Sequence, residues 1–374
     1  MIYIKEVSTK KELKKFITFP NSLYRNKDEY VKPLLNDEMN IFSPIKNDAF
    51  SYCESKQFLA YNDKKIVGRI ATIINHRYNI EKKVKQIRFT RFDVIDDIEV
   101  TKALFDKVEE IAIDNNLEEI IGPVGFCDLD YLGMLTKGFD IKGDKYNQYN
   151  YEYYQKHLKT LGFIKDFNWN IYNINIPKEE NYRQNQISKF IIQKNNLKIS
   201  SLKKLDNTYD SIIKAIKLRY RINGHLYGYN QLTDKQLKFY SDRYKLLINL
   251  NYTYAITNQN DEIIAFAFAA PNINESLLHS KSNINIFKNI RLHRSISKTK
   301  EIYLYSLIID QKYQNIGLEQ ILINKLINVC IKKNILKIIT GTDLQYNINT
   351  FNNIEFIDKE MIKVRSSYKM KIKS

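Results

Sequence analysis

The chain of 374 residues is longer than one hydrophobic core usually supports, and 44% hydrophobic with 27% charged content excludes a disordered or fibrous protein, so two domains are expected. Its 59 basic against 42 acidic residues give a formal charge of +17, spread over scattered lysines in a sequence crowded with Lys, Asn, Ile and Tyr. With no long basic block and no continuous helical stripe, the charge helps an anionic ligand approach without naming one.

In chain order, residues 58–61 and 66–73 are apolar runs about the turn at 62–65, a β-hairpin pattern. Residues 87–92 give another strand, and a helix follows with Val100, Ala103, Leu104, Val108 and Ile111 on one face. Residues 117–121 read as a strand ended by Gly122-Pro123. A helix over 151–161 leads through Gly162-Phe163 into a strand at 169–174. The polar stretch 177–196 reads as a connector, part of it helical. The second half repeats the order. Strands at 252–256 and 263–270 flank the turn 257–262, and 302–309 is the next strand. Leu318, Ile321, Leu322, Leu326 and Val329 mark a helix face, and then come a strand at 336–340, a short helix and a last strand at 368–372. This predicts two similar α/β modules, 1–178 and 197–374, joined by 179–196.

Several chemistries lose their signatures. Cys53, Cys127 and Cys330 lie far apart with no CxxC, so neither a disulfide framework nor a thiolate zinc site is written. No GxxxxGK[ST], no GxGxxG after a strand, no HExxH and no GxSxG occur. Asp128-Leu129-Asp130 reads as a turn rather than a metal-binding DxD, and no metal is expected. The opening MIYIKEVSTKKELKKF lacks a secretory apolar stretch and no run reaches membrane-spanning length, so the expectation is a cytoplasmic protein without a membrane partner.

The repeated order of hairpin, strand, helix, strand, helix and strand resembles the GNAT acyltransferase superfamily. With PNSLYRNKDEYVKPLLNDE, NDAFSYCESKQFLAYNDKKIVGRIA and GPVGFCDLDYLGMLTKGFD, the tandem arrangement is similar to bacterial two-module GNAT-like proteins of about this length. The resemblance covers nearly the whole chain. It implies an α/β fold of two GNAT-like modules, each a mixed, mostly antiparallel sheet flanked by helices. It also implies N-acyl transfer from acetyl-CoA or another acyl-CoA by direct attack of a small amine.

A GNAT module points backbone N–H groups at a strand-to-helix turn toward the pyrophosphate, with the helix N-terminus adding its partial charge. The family pattern is Q/R-x-x-G-x-G/A. Gln314 and Gly317 match it, while Glu319 stands where Gly or Ala is expected. The donor-holding residues implied are Ile308, Ile309, Gln314, Asn315, Ile316, Gly317, Leu318, Glu319 and Gln320. In the first half the equivalent turn holds Asp93, Asp96, Asp97 and Glu99 and no glycine, which suits a helix cap and not a polyphosphate.

The resemblance further implies a Tyr, about five residues before a Gly-Phe pair, that protonates the leaving thiolate. Counting back from Glu355-Phe356 gives Phe351, and Glu355 replaces the Gly, so Tyr305, Tyr313 and Tyr346 remain as candidates. The acceptor is expected against Asp128, Asp130, Tyr131, Tyr153 and Tyr154 of the first half, and Arg221 and Tyr227 of the second. Two alternatives stand beside this reading. One is a Fem-like transferase using aminoacyl-tRNA, the only case in which a nucleic acid is a partner. The other is a non-catalytic ligand-binding descendant, suggested by Glu319, Phe351 and Glu355 together.

Overall fold

The computed structural model describes residues 1–143, 148–201, 208–223, 228–245, 251–272, 299–341 and 354–372. In chain order these form β1 (Ile2–Glu6), α1 (Lys10–Leu23), α2 (Leu35–Ile41), β2 (Cys53–Asn62), β3 (Lys65–Asn75), α3 (His76–Lys82), β4 (Gln86–Val94) and α4 (Ile98–Asp114). Next come β5 (Glu119–Gly122), β6 (Met134–Lys137), α5 (Tyr153–Thr160), β7 (Ile164–Asn175), α6 (Tyr182–Lys194), β8 (Lys198–Ser201), α7 (Thr208–Asn223) and α8 (Asp234–Lys245). The chain continues with β9 (Thr253–Thr257), β10 (Ile263–Pro271), β11 (Glu301–Ile309), α9 (Leu318–Lys332), β12 (Lys337–Thr340) and β13 (Asp358–Lys371). The short helix expected after residue 340 falls outside the described residues. Among the described residues no helix is long and apolar enough to cross a membrane.

Local chemistry accounts for the elements. The β2–β3 hairpin closes with Asn62 opposite Lys65 and with Asp63 at φ +53°, a left-handed position that Asp tolerates. Asp97 caps α4 by accepting from the Glu99 N–H at 2.9 Å. The α4 stripe Val100, Leu104, Val108 and Ile111 is buried with Phe58, Ile70, Ile87 and Phe89 of the sheet. On α9, Leu318, Ile321, Leu322 and Leu326 are likewise buried with Ile264, Ile302, Leu304 and Ile338. The expected connector is more than a linker. Its helix α6 lays Ile191 and Ile192 against that core and accepts at Asn185 from Asn324 and Asn328 of α9, at 2.9 and 2.7 Å.

The chain divides into two compact units, Met1–Trp169 with Lys363–Ser374, and Asn170–Ile362. In the first, β1, β2, β3 and β4 pair antiparallel, β4 and β5 parallel, and β5 antiparallel with residues 368–371 of β13. In the second, β8, β9, β10 and β11 pair antiparallel, β11 and β12 parallel, and β12 antiparallel with residues 173–175 of β7. The two ladders have the same order. Each takes its sixth strand from the other half of the sequence, so the units are not the contiguous 1–178 and 197–374 that the sequence pattern predicts. Periodicity reveals that 169–174 and 368–372 are strands; which edge accepts their hydrogen bonds is a long-range matter.

Candidate functional site

In both units the parallel pairing is short. Strands β4 and β5 pair from Gln86↔Glu119 to Arg88↔Ile121, and β11 and β12 from Glu301↔Lys337 to Leu304↔Thr340. Beyond those points β4 and β11 run on without that neighbour, and each carries a register irregularity against the preceding strand. Matching hydrogen bonds align the two. The Phe89 carbonyl accepts from the Val124 N–H at 2.9 Å as the Leu304 carbonyl does from Gly341 at 2.7 Å. The Ile95 and Asp310 N–H groups, six residues further on in each, donate to Val67 and Ile264 at 3.0 and 2.7 Å. By chain count Arg91 and Ser306 correspond, although the irregularity falls between Arg69 and Ala71 in the first ladder and between Phe268 and Ala269 in the second.

The first unit fills its gap with its own side chains. Arg91, fully buried at φ +48°, donates to Asp130 at 2.6 and 2.9 Å and to Glu38 at 3.2 and 3.3 Å. Its guanidinium lies 4.2 Å from the Tyr131 ring centroid. Burial by itself would lower the Arg91 pKa, and the Asp130 and Glu38 carboxylates more than offset it, so the group is held above its ordinary value. Beside it Arg69 pairs with Asp93 at 2.7 Å, and Asp93 also accepts from the Tyr24 hydroxyl at 2.6 Å. Burial pushes the Asp93 carboxyl up despite Arg69. The Tyr154 hydroxyl meets that of Tyr24 at 2.7 Å and accepts from the Val94 N–H at 2.8 Å, and Tyr153 donates to the Val94 carbonyl at 2.6 Å. The two cavities left among these residues measure about 10 and 20 Å³, room for about one water each. Asp97 thus occupies the start of α4, and Arg91 with its two carboxylates occupies the gap.

The second unit is built differently. Eight residues, 310–317, connect β11 to α9, against three, 95–97, between β4 and α4. Asp310 opens the turn by accepting from the Lys312 N–H at 3.1 Å, and Asn315 and Gly317 take left-handed φ of +64° and +87°. Gly317 precedes α9 with no side-chain cap, and the N–H groups of Asn315, Ile316 and Gly317 have no acceptor among the described residues. Glu319 is buried, 6% exposed, in the first turn of α9. Burial pushes its carboxyl up, countered only by a hydrogen bond from its own N–H. Ser306 is 7% exposed, and its hydroxyl has no hydrogen-bond partner among the described residues. Beside the turn lies a cleft of about 560 Å³, lined by Lys214, Lys217 and Arg221 of α7, by Ile263 and Ile264, and by Asp310 and Tyr313.

No family model matches the chain. It is 26% identical to protein YghO of Escherichia coli over 290 residues, 72% of this chain and 68% of that protein. To the bacterial ceramide synthase of Caulobacter vibrioides it is 28% identical over 141 residues, 36% of this chain and 35% of that protein. Among solved structures, a tandem GNAT protein from the clavulanic acid biosynthesis pathway superposes with a TM-score of 0.54 at 8% identity, covering 100% of this chain and 99% of that one. This chain has the tandem GNAT fold. The GCN5-related glucosamine N-acetyltransferase region of a fungal β-N-acetylglucosaminidase gives a TM-score of 0.55 at 11% identity over 99% of this chain and 38% of that one. A probable N-acyltransferase of Enterococcus faecalis gives 0.50 at 7% identity, over 100% of this chain and 73% of that one.

Within this GNAT fold the expected donor residues fall together. Ile308 and Ile309 end β11, Gln314, Asn315 and Ile316 form the turn, and Gly317, Leu318, Glu319 and Gln320 start α9. Gln314 and Asn315 are exposed, whereas Ile309 and Leu318 belong to the core. Of the tyrosines, Tyr305 stacks on Tyr303 and Phe268 with centroids 5.8 and 5.3 Å away, and Tyr313 is half-buried at the cleft. Tyr346, Phe351 and Tyr227 lie outside the described residues. Arg221 is exposed and pairs with Asp310. The acceptor candidates of the first unit are otherwise engaged: Asp130 and Tyr131 hold Arg91, Tyr153 and Tyr154 hold the end of β4, and Asp128 is buried. Sequence reading missed Ser306 and the Arg91–Glu38 pair. The two arginines, Arg88 and Arg91, inside the strand at 87–92 were the available signal for the second.

Proposed function

We propose that this protein is an acyl-CoA-dependent N-acyltransferase whose donor is held by the second unit alone. The observation that carries this is the uncapped turn of residues 310–317, whose N–H groups at 315–317 have no acceptor among the described residues where the other unit caps its helix with Asp97. Such a corner favours a pyrophosphate through direct hydrogen bonds and through the positive end of α9. Gly317 suits the place because its φ of +87° strains any other residue and because a Cβ there would sit 3.3 Å from Ile191. Glu319 weakens the site without closing it, since its carboxylate takes up its own N–H and leaves those of residues 315–317 unengaged.

In this reading the acyl group lies in the gap after Leu304 and the amine arrives through the cleft along α7. Its floor of Leu218, Ile263 and Ile264 offers apolar contact and Arg221 a polar one. Tyr305 and Tyr313 are the described candidates to return a proton to the thiolate. The Caulobacter relative is a ceramide synthase by name, and a ceramide is the amide of an amino alcohol, which supports amide formation as the chemistry. Calorimetric titration with acetyl-CoA, palmitoyl-CoA and CoA tests the reading. Binding is expected for the wild type and is abolished by Gly317→Trp, and thiol release then requires an added amine. A wild type that binds none of the three leaves a GNAT fold without its donor.

A further inference from the structure

Helix α6 has two unlike faces. One is used by the fold: Ile191 and Ile192 lie against the core of the second unit, and Asn185 accepts from Asn324 and Asn328 of α9. The other faces outward. No residue of α6 is buried, and Tyr182 and Phe190 are 76% and 62% exposed, the two most exposed Tyr or Phe side chains among the described residues. At about 3.6 residues per turn, Tyr182, Gln186, Phe190 and Gln193 fall on one outward strip, and all four are exposed. Lys189 borders that strip on one side, and Arg183 and Lys194 border it on the other, all three exposed as well.

The charge of the helix has one sign. Residues 182–194 contain these three cations and no Asp or Glu. The Lys194 ammonium lies 5.8 Å from the Phe190 ring centroid. Of the two carboxylates just before the helix, Glu180 is taken by Lys332 at 2.9 Å. A single exposed ring needs no explanation, but two on one strip between cations form a pattern. A second copy of this chain would set the same cations against one another, so charge calls for a negative occupant. The rings call for one that also takes in apolar groups. An anionic lipid surface offers both, with phosphates for the cations and acyl chains for the rings.

We propose that the outward face of α6 docks the protein on an anionic phospholipid surface, with Tyr182 and Phe190 entering the headgroup layer and Arg183, Lys189 and Lys194 meeting lipid phosphates. The contact lies on the bilayer and does not span it, in keeping with the lack of a crossing helix among the described residues. The expectation of no membrane partner rested on spanning length, which a helix lying flat does not need. The opposite face of α6 keeps its place on α9, so docking requires no unfolding. The inference stands apart from the acyl-CoA reading. Each cation near a charged bilayer contributes about fivefold in affinity, so three give about a hundredfold at low salt.

The test is co-sedimentation of the full chain with vesicles of phosphatidylcholine, alone or mixed with phosphatidylglycerol, each variant also being melted. Wild type is expected on the mixed vesicles and not on phosphatidylcholine alone, and added salt releases it. Arg183→Gln, Lys189→Gln and Lys194→Gln together are expected to weaken binding about a hundredfold. The same change at Lys14, Lys64 and Lys156, exposed lysines of the first unit, is expected to cost less than about fivefold. Tyr182→Ser with Phe190→Ser keeps the charges and is expected to weaken binding about tenfold. Its melting temperature stays unchanged, since both rings are exposed. Equal losses in the two triple variants, or a serine variant that binds like wild type, overturn the docking face. A wild type that binds neither vesicle overturns it too, and retention on tRNA without binding to mixed vesicles gives the cations to nucleic acid instead.

Discussion

On the proposed reading, Glu319 is the residue on which donor affinity turns. A carboxylate about 5 Å from a pyrophosphate costs about 3 kcal/mol at an effective dielectric near 20, roughly a hundredfold in affinity. It neither turns into solvent nor pairs with a cation among the described residues, being buried in the first turn of α9. Glu319→Gln is therefore expected to bind CoA between about tenfold and a hundredfold more tightly at neutral pH. The sign of the pH dependence follows from burial, which raises this carboxyl in the folded state. Protonation removes the repulsion, so the advantage of the glutamine variant shrinks as pH falls toward the ordinary carboxylate range. The same linkage makes the variant more stable than wild type above that range and equal to it below. Titrations and melts at several pH values check both; an advantage that grows on acidification contradicts the account.

At the scale of elements, one strand–turn–helix unit appears twice with opposite uses. The β4–α4 connection spends its polar groups on itself, with Asp97 on the helix start and Arg91, Glu38 and Asp130 in the gap. Removing Arg91 strands two buried carboxylates, so Arg91→Ala is expected to destabilise the first unit by about 3–5 kcal/mol. CoA affinity, which the proposal assigns to the second unit, is expected to stay unchanged, and a paired denaturation and titration experiment reads both. The contrast was legible in part. Gln314 and Gly317 against Asp96 and Asp97 already separated an open turn from a capped one, because capping is local chemistry. The fate of Asp130, Tyr153 and Tyr154 was not legible. Their partners Arg91, Val94 and Tyr24 lie 39, 59 and 130 residues away in the order Asp130–Arg91, Tyr153–Val94 and Tyr154–Tyr24, and only the finished sheet brings them together. Ser306 was hidden for the same reason, since its isolation depends on where the β11–β12 pairing ends.

For the molecule as a whole, the exchange of last strands means that neither half of the sequence holds a complete unit. A chain of residues 1–178 leaves Glu119–Gly122 without the antiparallel partner at 368–371 and removes Tyr368, 3% exposed, from the core. It also removes Arg365, which donates to the Leu132 and Gln148 carbonyls at 3.0 and 2.8 Å. Burying a side chain of that size is worth about 2–3 kcal/mol, and a bare strand edge invites pairing between molecules. A domain's margin is about 5–15 kcal/mol, so the truncated half is expected to aggregate or to melt without cooperativity. Joining residues 363–374 to residue 169 through a flexible linker is expected to restore a cooperative, monomeric unit, because it returns the missing strand without restoring the second unit. Size-exclusion chromatography and thermal melts of the two shortened chains decide the matter. If residues 1–178 alone melt cooperatively as a monomer, the last strand of the chain is an accessory to the first sheet and not its sixth member.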